Sequence, residues 1–270
     1  MAKYQGEKKN APLLTEDVRS FWQANPLCTQ INPFDPGSKE FFDHYNKQRE
    51  EIESIECSYA IHEYQDFENK KVLDVGCGNG YVLSKYASEG ADVYGVDITQ
   101  AAIELTRKRF EHLKLFGDFR VADAQKLPFP DNTFDCVCSM GVLHHIPNTQ
   151  KAVDEIYRVL KPGGRLIVMF YHRNSAKYQF NYRVRSMITG KTVQMLANEF
   201  DGIGNPKGAV YSKLELKSVL DKFSNIKFHV DYLAPGDLIP FGGRFLPVKT
   251  FKILASLLGW NLYAKGCKPL

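Results

Sequence analysis

The segment Asp74-Val-Gly-Cys-Gly-Asn-Gly80 places three glycines and an acid within one short turn. Glycines at 76, 78 and 80 permit positive-φ conformations and let a ligand approach the backbone closely. A second acid, Asp97, follows 23 residues after Asp74. Its carboxylate can accept hydrogen bonds from both hydroxyls of a ribose, although the same side chain also suits a helix cap ahead of Thr99. Asp123 stands in Val-Ala-Asp-Ala-Gln-Lys-Leu-Pro-Phe, where an Asx turn is the plainer alternative. His144 and His145 are adjacent in Gly-Val-Leu-His-His-Ile. A neutral imidazole there can take a proton from a phenol, a thiol or an enol-type carbon acid, or can simply satisfy nearby backbone groups.

Spacing separates this loop from a dinucleotide fold. The G-x-G-x-x-G fingerprint fails from Gly76, where the third glycine would be Tyr81, and fails from Gly78, where it would be Leu83. The six cysteines contain no C-x-x-C pair, so spacing offers no zinc site and no metal is expected. Cys136 and Cys138 alternate along a strand-like run, as buried free thiols of a reducing compartment would.

These residues fall at the ends of regular elements. Lys71–Val75, Val93–Ile98, Phe119–Ala122, Phe134–Met140 and Arg165–Tyr171 read as short, nearly continuous apolar strands. Tyr81–Ser88, a helix capped by Thr99, and Thr149–Leu160 read as the helices between them. Repeated strand–helix–strand units imply an α/β fold with a parallel sheet covered by helices. Ahead of this core, a helix is expected near 16–24, and another from about Ser38 through Ile55 with Phe41, Phe42 and Tyr45 on one face. Behind it, 172–210 has no clean period. Ser212 to Glu215 is a capping box that opens a helix to about Phe223. A strand at Ile226–Tyr232, a Pro/Gly-rich loop at 234–243, a helix at Phe245–Leu258 and a strand at Trp260–Gly266 complete the chain.

The Asp-x-Gly-x-Gly-x-Gly loop, with acids following the next two strands, resembles the class I S-adenosylmethionine-dependent methyltransferases. Within them it is most similar to the small-molecule branch that includes the ubiquinone-biosynthesis C-methyltransferases. The resemblance spans about Lys70 to Tyr171. It implies a Rossmann-like, doubly wound, mostly parallel seven-stranded sheet with an antiparallel last strand. The cofactor it implies is S-adenosyl-L-methionine, with S-adenosyl-L-homocysteine as product. On this resemblance Asp74, Gly76, Cys77, Gly78 and Gly80 surround the methionine end. Asp97 and Ile98 take the ribose, Asp123 and Ala124 read the adenine, and Ser139 and Met140 offer a carbonyl to the ammonium. His145, with His144 beside it, is the candidate catalytic base. The Asn/Asp-Pro-Pro-Tyr/Phe motif of nucleobase N-methylating relatives is replaced here by Cys-Ser-Met-Gly.

The resemblance divides the chain into an N-terminal helical extension or lid at 1–65 and a methyltransferase domain at 66–270, with insertions near 172–210 and 233–258. The extension and insertions supply the candidate acceptor pocket: Trp22, Tyr45, Tyr171, Arg173, Tyr178 and Tyr182. The expected acceptor is a small-molecule metabolite attacked through O, S or C. A macromolecular acceptor and a non-catalytic cofactor-binding protein are the alternatives. Charge is uneven, with 25 acids against 20 bases up to residue 170 and 6 against 15 beyond it. The basic stretch Arg173–Lys191 suits RNA in composition, but no RNA-binding module accompanies it, so nucleic acid is not an expected partner. The apolar segment 245–258 suggests a covering helix before a membrane contact. With no signal peptide and no run of about 18–20 apolar residues, the expected location is the cytoplasm.

Overall fold

The computed structural model describes residues 14–27, 29, 32–238 and 248–270. The N-terminal tail, Cys28, half of the Pro/Gly-rich loop and the first residues of the helix expected from Phe245 lie outside the described residues.

Eight strands form one sheet: β1 (Lys71–Val75), β2 (Asp92–Asp97), β3 (Asp118–Val121), β4 (Phe134–Met140), β5 (Leu160–His172), β6 (Val210–Tyr211), β7 (Ser224–Asp231) and β8 (Asn261–Cys267). The order is β3-β2-β1-β4-β5-β8-β7, and the two-residue β6 pairs beside the end of β5. β8 runs antiparallel to both neighbours, and the β1–β2–β3 and β4–β5–β6 pairings are parallel. This is the expected doubly wound sheet with an antiparallel last strand, enlarged by β6. Alternate residues feed two cores. Val72, Cys136, Cys138 and Ile167 pack on one face, while Leu73, Val137, Leu166 and Val168 pack on the other. Burial on both faces explains why the strands read as unbroken apolar runs.

The helices are α1 (Thr15–Ala24), α2 (Lys39–Ile52), α3 (Ile55–His62), α4 (Tyr81–Ser88), α5 (Gln100–Leu113), α6 (Thr149–Val159), α7 (Tyr182–Thr189), α8 (Val193–Asn198), α9 (Lys213–Val219), α10 (Pro235–Leu238) and α11 (Val248–Leu258). Three boundaries depart from the sequence expectation. The long N-terminal helix breaks after Ile52, because Ser54 Oγ accepts from Cys57 N (3.3 Å) and caps a separate α3. β5 begins at Leu160 and runs through Lys-Pro-Gly-Gly, where the register with β4 shifts and Gly163 and Gly164 pair with Lys268. The 172–210 insertion is helical, with a π-helical turn at Lys177–Asn181, α7, α8 and a 3₁₀ turn at Glu199–Asp201. Among the described residues no helix is long and apolar enough to cross a membrane.

The N-terminal helices have two distinct roles. α2 and α3 join the main core: Tyr45, Ile61 and Tyr64 belong to the same cluster as the sheet residues. α1 buries only Val18 and lies over the carboxyl ends of the strands.

Candidate active site

The strand order reverses between β1 and β4, and open α/β sheets bind ligands outside such a switch point. A cleft of about 860 Å³, its open mouth included, lies there. The loop after β1 contributes Gly76 and Gly78, the end of β2 contributes Asp97 with Ile98 just beyond it, and the loop after β3 contributes Asp123 and Ala124. Met140 ends β4, Gly141 and Val142 follow it, and His145 and Ile146 close that side. α1 roofs the cleft with Thr15, Val18 and Trp22. Three contacts seat this roof: Gln125 Nε2 donates to Thr15 Oγ1 (2.9 Å), Ala101 N donates to Gln23 Oε1 (3.4 Å), and the Trp22 ring meets the His145 ring edge-to-face at 5.2 Å.

The glycine loop is set from both sides. Gly76, Gly78 and Gly80 all have positive φ. A Cβ on Gly76 would come within 2.4 Å of Val142, so side-chain absence is required there as well as backbone freedom. The amides of Gly76 and Cys77 both donate to Val96 O, at 2.7 and 3.0 Å. From behind, α5 braces the loop: Thr106 Oγ1 donates to Gly78 O (3.0 Å) and Arg109 Nε to Asn79 O (2.7 Å). Arg109 also donates to Asn46 Oδ1 of α2 (2.8 Å), and its guanidinium lies 4.5 Å from the Phe42 ring centre. Burial lowers its pKa to about 10.

Both acids make local hydrogen bonds and also line the cleft. Asp97 Oδ1 accepts from Thr99 N (3.0 Å) and Thr99 Oγ1 (2.9 Å), and Oδ2 accepts from Gly78 N (3.2 Å). Burial pushes its carboxyl up, and the Thr99 and Gly78 donors pull it back. A carboxylate has about four acceptor sites, so these three contacts leave capacity toward the cleft. Asp123 Oδ1 accepts from Gln125 N (2.9 Å), the Asx turn weighed from sequence, while the residue still lines the cleft.

Other expected positions point elsewhere. Asp74, at 3% exposure, lies beneath the loop and does not line the cleft; burial raises its pKa to about 7. Cys77 is buried toward Thr106, with Thr106 Oγ1 3.6 Å from its sulfur. Gly80 caps α4. The Ser139 hydroxyl donates to Val75 O (2.7 Å) inside the sheet. Of the acceptor-pocket residues, Trp22 alone reaches the cleft. Tyr45 packs near Arg109 and Tyr81, Arg173 pairs with Glu215 (2.8 Å), and Tyr178 is half-buried against the main core. Tyr182 lines a different cavity.

The histidines sit in a buried aromatic cluster. His144 is fully buried beside Tyr171, its ring nitrogens have no partner among the described residues, and it does not line the cleft. His145 Nδ1 donates to the Lys207 carbonyl, which leaves Nε2 as the lone-pair nitrogen of the neutral ring. That Nε2 lies 3.3 Å from Asp201 Oδ2, and the Tyr171 hydroxyl lies 2.6 and 2.7 Å from the two Asp201 oxygens. Burial lowers the His145 pKa and raises that of Asp201, and each partner opposes the other's shift. Away from the cleft, Cys57, His229 and Asp231 bring ligand-type atoms within 4.8 Å of one another, a grouping that spacing could not reveal. The Cys57 thiol donates to Asp231 there (3.3 Å).

Residues 73–168 match the family described as a methyltransferase domain. That stretch of the chain is a methyltransferase domain. A sterol 4-C-methyltransferase of Caenorhabditis elegans is 39% identical over 124 residues, 45% of this chain and 37% of that protein. A ubiquinone biosynthesis O-methyltransferase of Alkalilimnicola ehrlichii is 29% identical over 170 residues, 62% of this chain and 69% of that protein. The match thus spans little more than a third of the first relative's length. In three dimensions, an S-adenosylmethionine-dependent methyltransferase of Methanosarcina mazei superposes with a TM-score of 0.57 at 24% identity, covering 78% of this chain and 97% of that one. That likeness concerns the fold of this methyltransferase domain.

Proposed function

We propose that the protein binds S-adenosylmethionine in the cleft under α1 and moves its methyl group to an O, S or C atom of a small-molecule metabolite. One observation carries this reading: the glycine loop and both strand-end acids, Asp97 and Asp123, open onto a single cleft. S-adenosylmethionine, when bound, supplies a methyl group already activated on a sulfonium.

The chain's task is to orient and to exclude water. Asp97 accepts the ribose hydroxyls, with Ile98 against the sugar. Asp123 and Ala124 take the adenine. The loop at 76–80 and the backbone at Met140 face the methionine end. Ser139, bonded to Val75 O, and Gly80, at the start of α4, fix that backbone from beneath, and Asp74 and Cys77 are buried under it. Trp22, Val18 and Ile146 give the remaining space an apolar lining, which suits a ring-bearing or aliphatic acceptor. Where the acceptor has a proton to lose, His145, which lines the cleft, is the candidate to receive it, with Asp201 Oδ2 3.3 Å from its Nε2 to stabilise the imidazolium. Buried free thiols at Cys77, Cys136 and Cys138 accord with a reducing, cytoplasmic compartment.

The test is label transfer from methyl-labelled S-adenosylmethionine to a panel of phenols, thiols, sterols and quinols, read by mass spectrometry. Sterols and quinols come first, because two relatives are named for such compounds. Label on a small molecule supports the reading. Label found only on RNA or protein, or no calorimetric heat with the cofactor or its demethylated product, overturns it.

The roof has its own expected result. Deleting residues 1–24 removes α1, of which only Val18 is buried, so a cooperative thermal transition should remain. Turnover should fall by roughly tenfold or more through lost water exclusion. Full turnover in the truncated chain would show that α1 does not close the site. A deletion through residue 45 is a poor substitute, since it strips Phe41 and Phe42 from the packing around Arg109.

A further inference from the structure

The insertion between β5 and β6 has a feature that methyl transfer leaves unused. From Arg173 to Asn198 it carries five cations, Arg173, Lys177, Arg183, Arg185 and Lys191, and no carboxylate. Within it, α7 is amphipathic in the reverse of the usual sense. Tyr182 is buried against the body at 3% exposure, while Met187 and Ile188 are 86% and 76% exposed. At about 100° per residue, Val184, Met187 and Ile188 share one narrow arc opposite Tyr182. Arg183 flanks that arc on one side and Arg185 on the other. Both arginines are exposed, and neither has a carboxylate partner among the described residues. Phe180, just ahead of α7, is 48% exposed. Arg185 also borders a second cavity, in which Lys177 pairs with Asp237 (3.3 Å) and Lys191 with Glu199 (2.7 Å), so the unpaired charge of this face rests with the two arginines.

Exposed apolar side chains in a row mark a contact surface. A second copy of the chain is a poor occupant, because a two-fold contact through α7 would bring like-charged arginines together. Single-stranded RNA is held by stacking on aromatic faces, and the outward residues of α7 are aliphatic. A bilayer with anionic headgroups matches both parts of the pattern. Aliphatic side chains enter the acyl boundary, and flanking arginines keep their guanidinium groups at the phosphates.

We propose that α7 is a docking face for an anionic phospholipid membrane, through Met187 and Ile188 inserted between Arg183 and Arg185. The sequence alone offered 245–258 for membrane contact, and there only behind a covering helix.

The experiment is co-sedimentation of the full chain with phosphatidylcholine vesicles, with and without phosphatidylserine. Binding is expected to be at least about tenfold tighter to the phosphatidylserine vesicles. Met187→Glu/Ile188→Glu should weaken it by about tenfold or more. Arg183→Gln/Arg185→Gln should remove the preference for anionic lipid. All four positions are exposed, so thermal transitions should match the parent and exclude misfolding as the cause. Equal binding to both vesicle types, no binding to either, or a folded Met187→Glu/Ile188→Glu protein that binds like the parent would overturn the proposal. So would concentration-dependent dimerisation or RNA retention without vesicle binding.

Discussion

Replacing Asp97 by Ala is expected to weaken binding of S-adenosylmethionine and of its demethylated product by roughly 10- to 150-fold, or about 1.5–3 kcal/mol. Charge-assisted hydrogen bonds to ribose are one part of that loss. The other part is internal: Asp97 also accepts from Gly78 N and from Thr99, so it ties the glycine loop to the start of α5. Removing it leaves a loop donor without its acceptor just where the ligand must meet an ordered backbone. Asp97→Asn tests the division. It keeps the shape and one acceptor oxygen, but turns an amide donor toward either Thr99 or Gly78, so an intermediate loss is expected. Isothermal calorimetry on the three proteins decides the matter, and unchanged affinity in Asp97→Ala would remove the ribose assignment.

The second large effect concerns pH. Asp74 is nearly inaccessible, and its Oδ1 finds no hydrogen-bond partner among the described residues. Burial, and to a lesser degree the charge on Asp97, raise its pKa to about 7. The unfolded chain ionises near the ordinary value of about 3.9. The folded state therefore holds a proton that the unfolded state has already released between those two pH values. The stabilisation is complete below the unfolded value and is lost as pH rises through about 7. The loss is on the order of 4 kcal/mol once both states are ionised. Asp74→Asn, which stays neutral throughout, should be more stable than the parent at about pH 8 and should lose that advantage toward about pH 4. Urea midpoints across this range give the measurement. Parallel curves for parent and variant would mean that Asp74 is ionised in the fold without cost.

How far these positions could be read beforehand depends on what fixes their direction. Asp97, Asp123, Gly76 and Gly78 were legible because a strand followed by a tight turn leaves its end residue little choice of where to point. Ser139 and Cys77 occupy the same neighbourhoods in sequence, but the alternation of a strand and the twist of a glycine turn direct them inward. Trp22 was found as an aromatic residue in the extension. Tyr45, Tyr171 and Tyr182 had the same composition to recommend them and were instead used in packing. Composition names what a wall is made of, and carries no direction. Asp201 and Lys207, the partners of His145, come from an insertion without periodicity some 60 residues away, where no spacing rule applies. Thr106 and Arg109 looked like ordinary polar positions on a helix. The fold class needed only the alternation of apolar runs with helices. The break at Ser54 escaped because the apolar spacing of α2 runs on through the cap.

Arg109 sets a practical limit on dissecting this molecule. The carbonyl it holds belongs to the glycine loop, and the amide that steadies it belongs to Asn46. A recombinant fragment started at residue 66, where the strand pattern begins, would leave this guanidinium with half its anchorage and bare the ring of Tyr81 that faces Tyr45. A fragment that keeps this guanidinium fully anchored accordingly begins ahead of Ser38, and exchanging the leading helices for those of a relative would disturb the glycine loop itself.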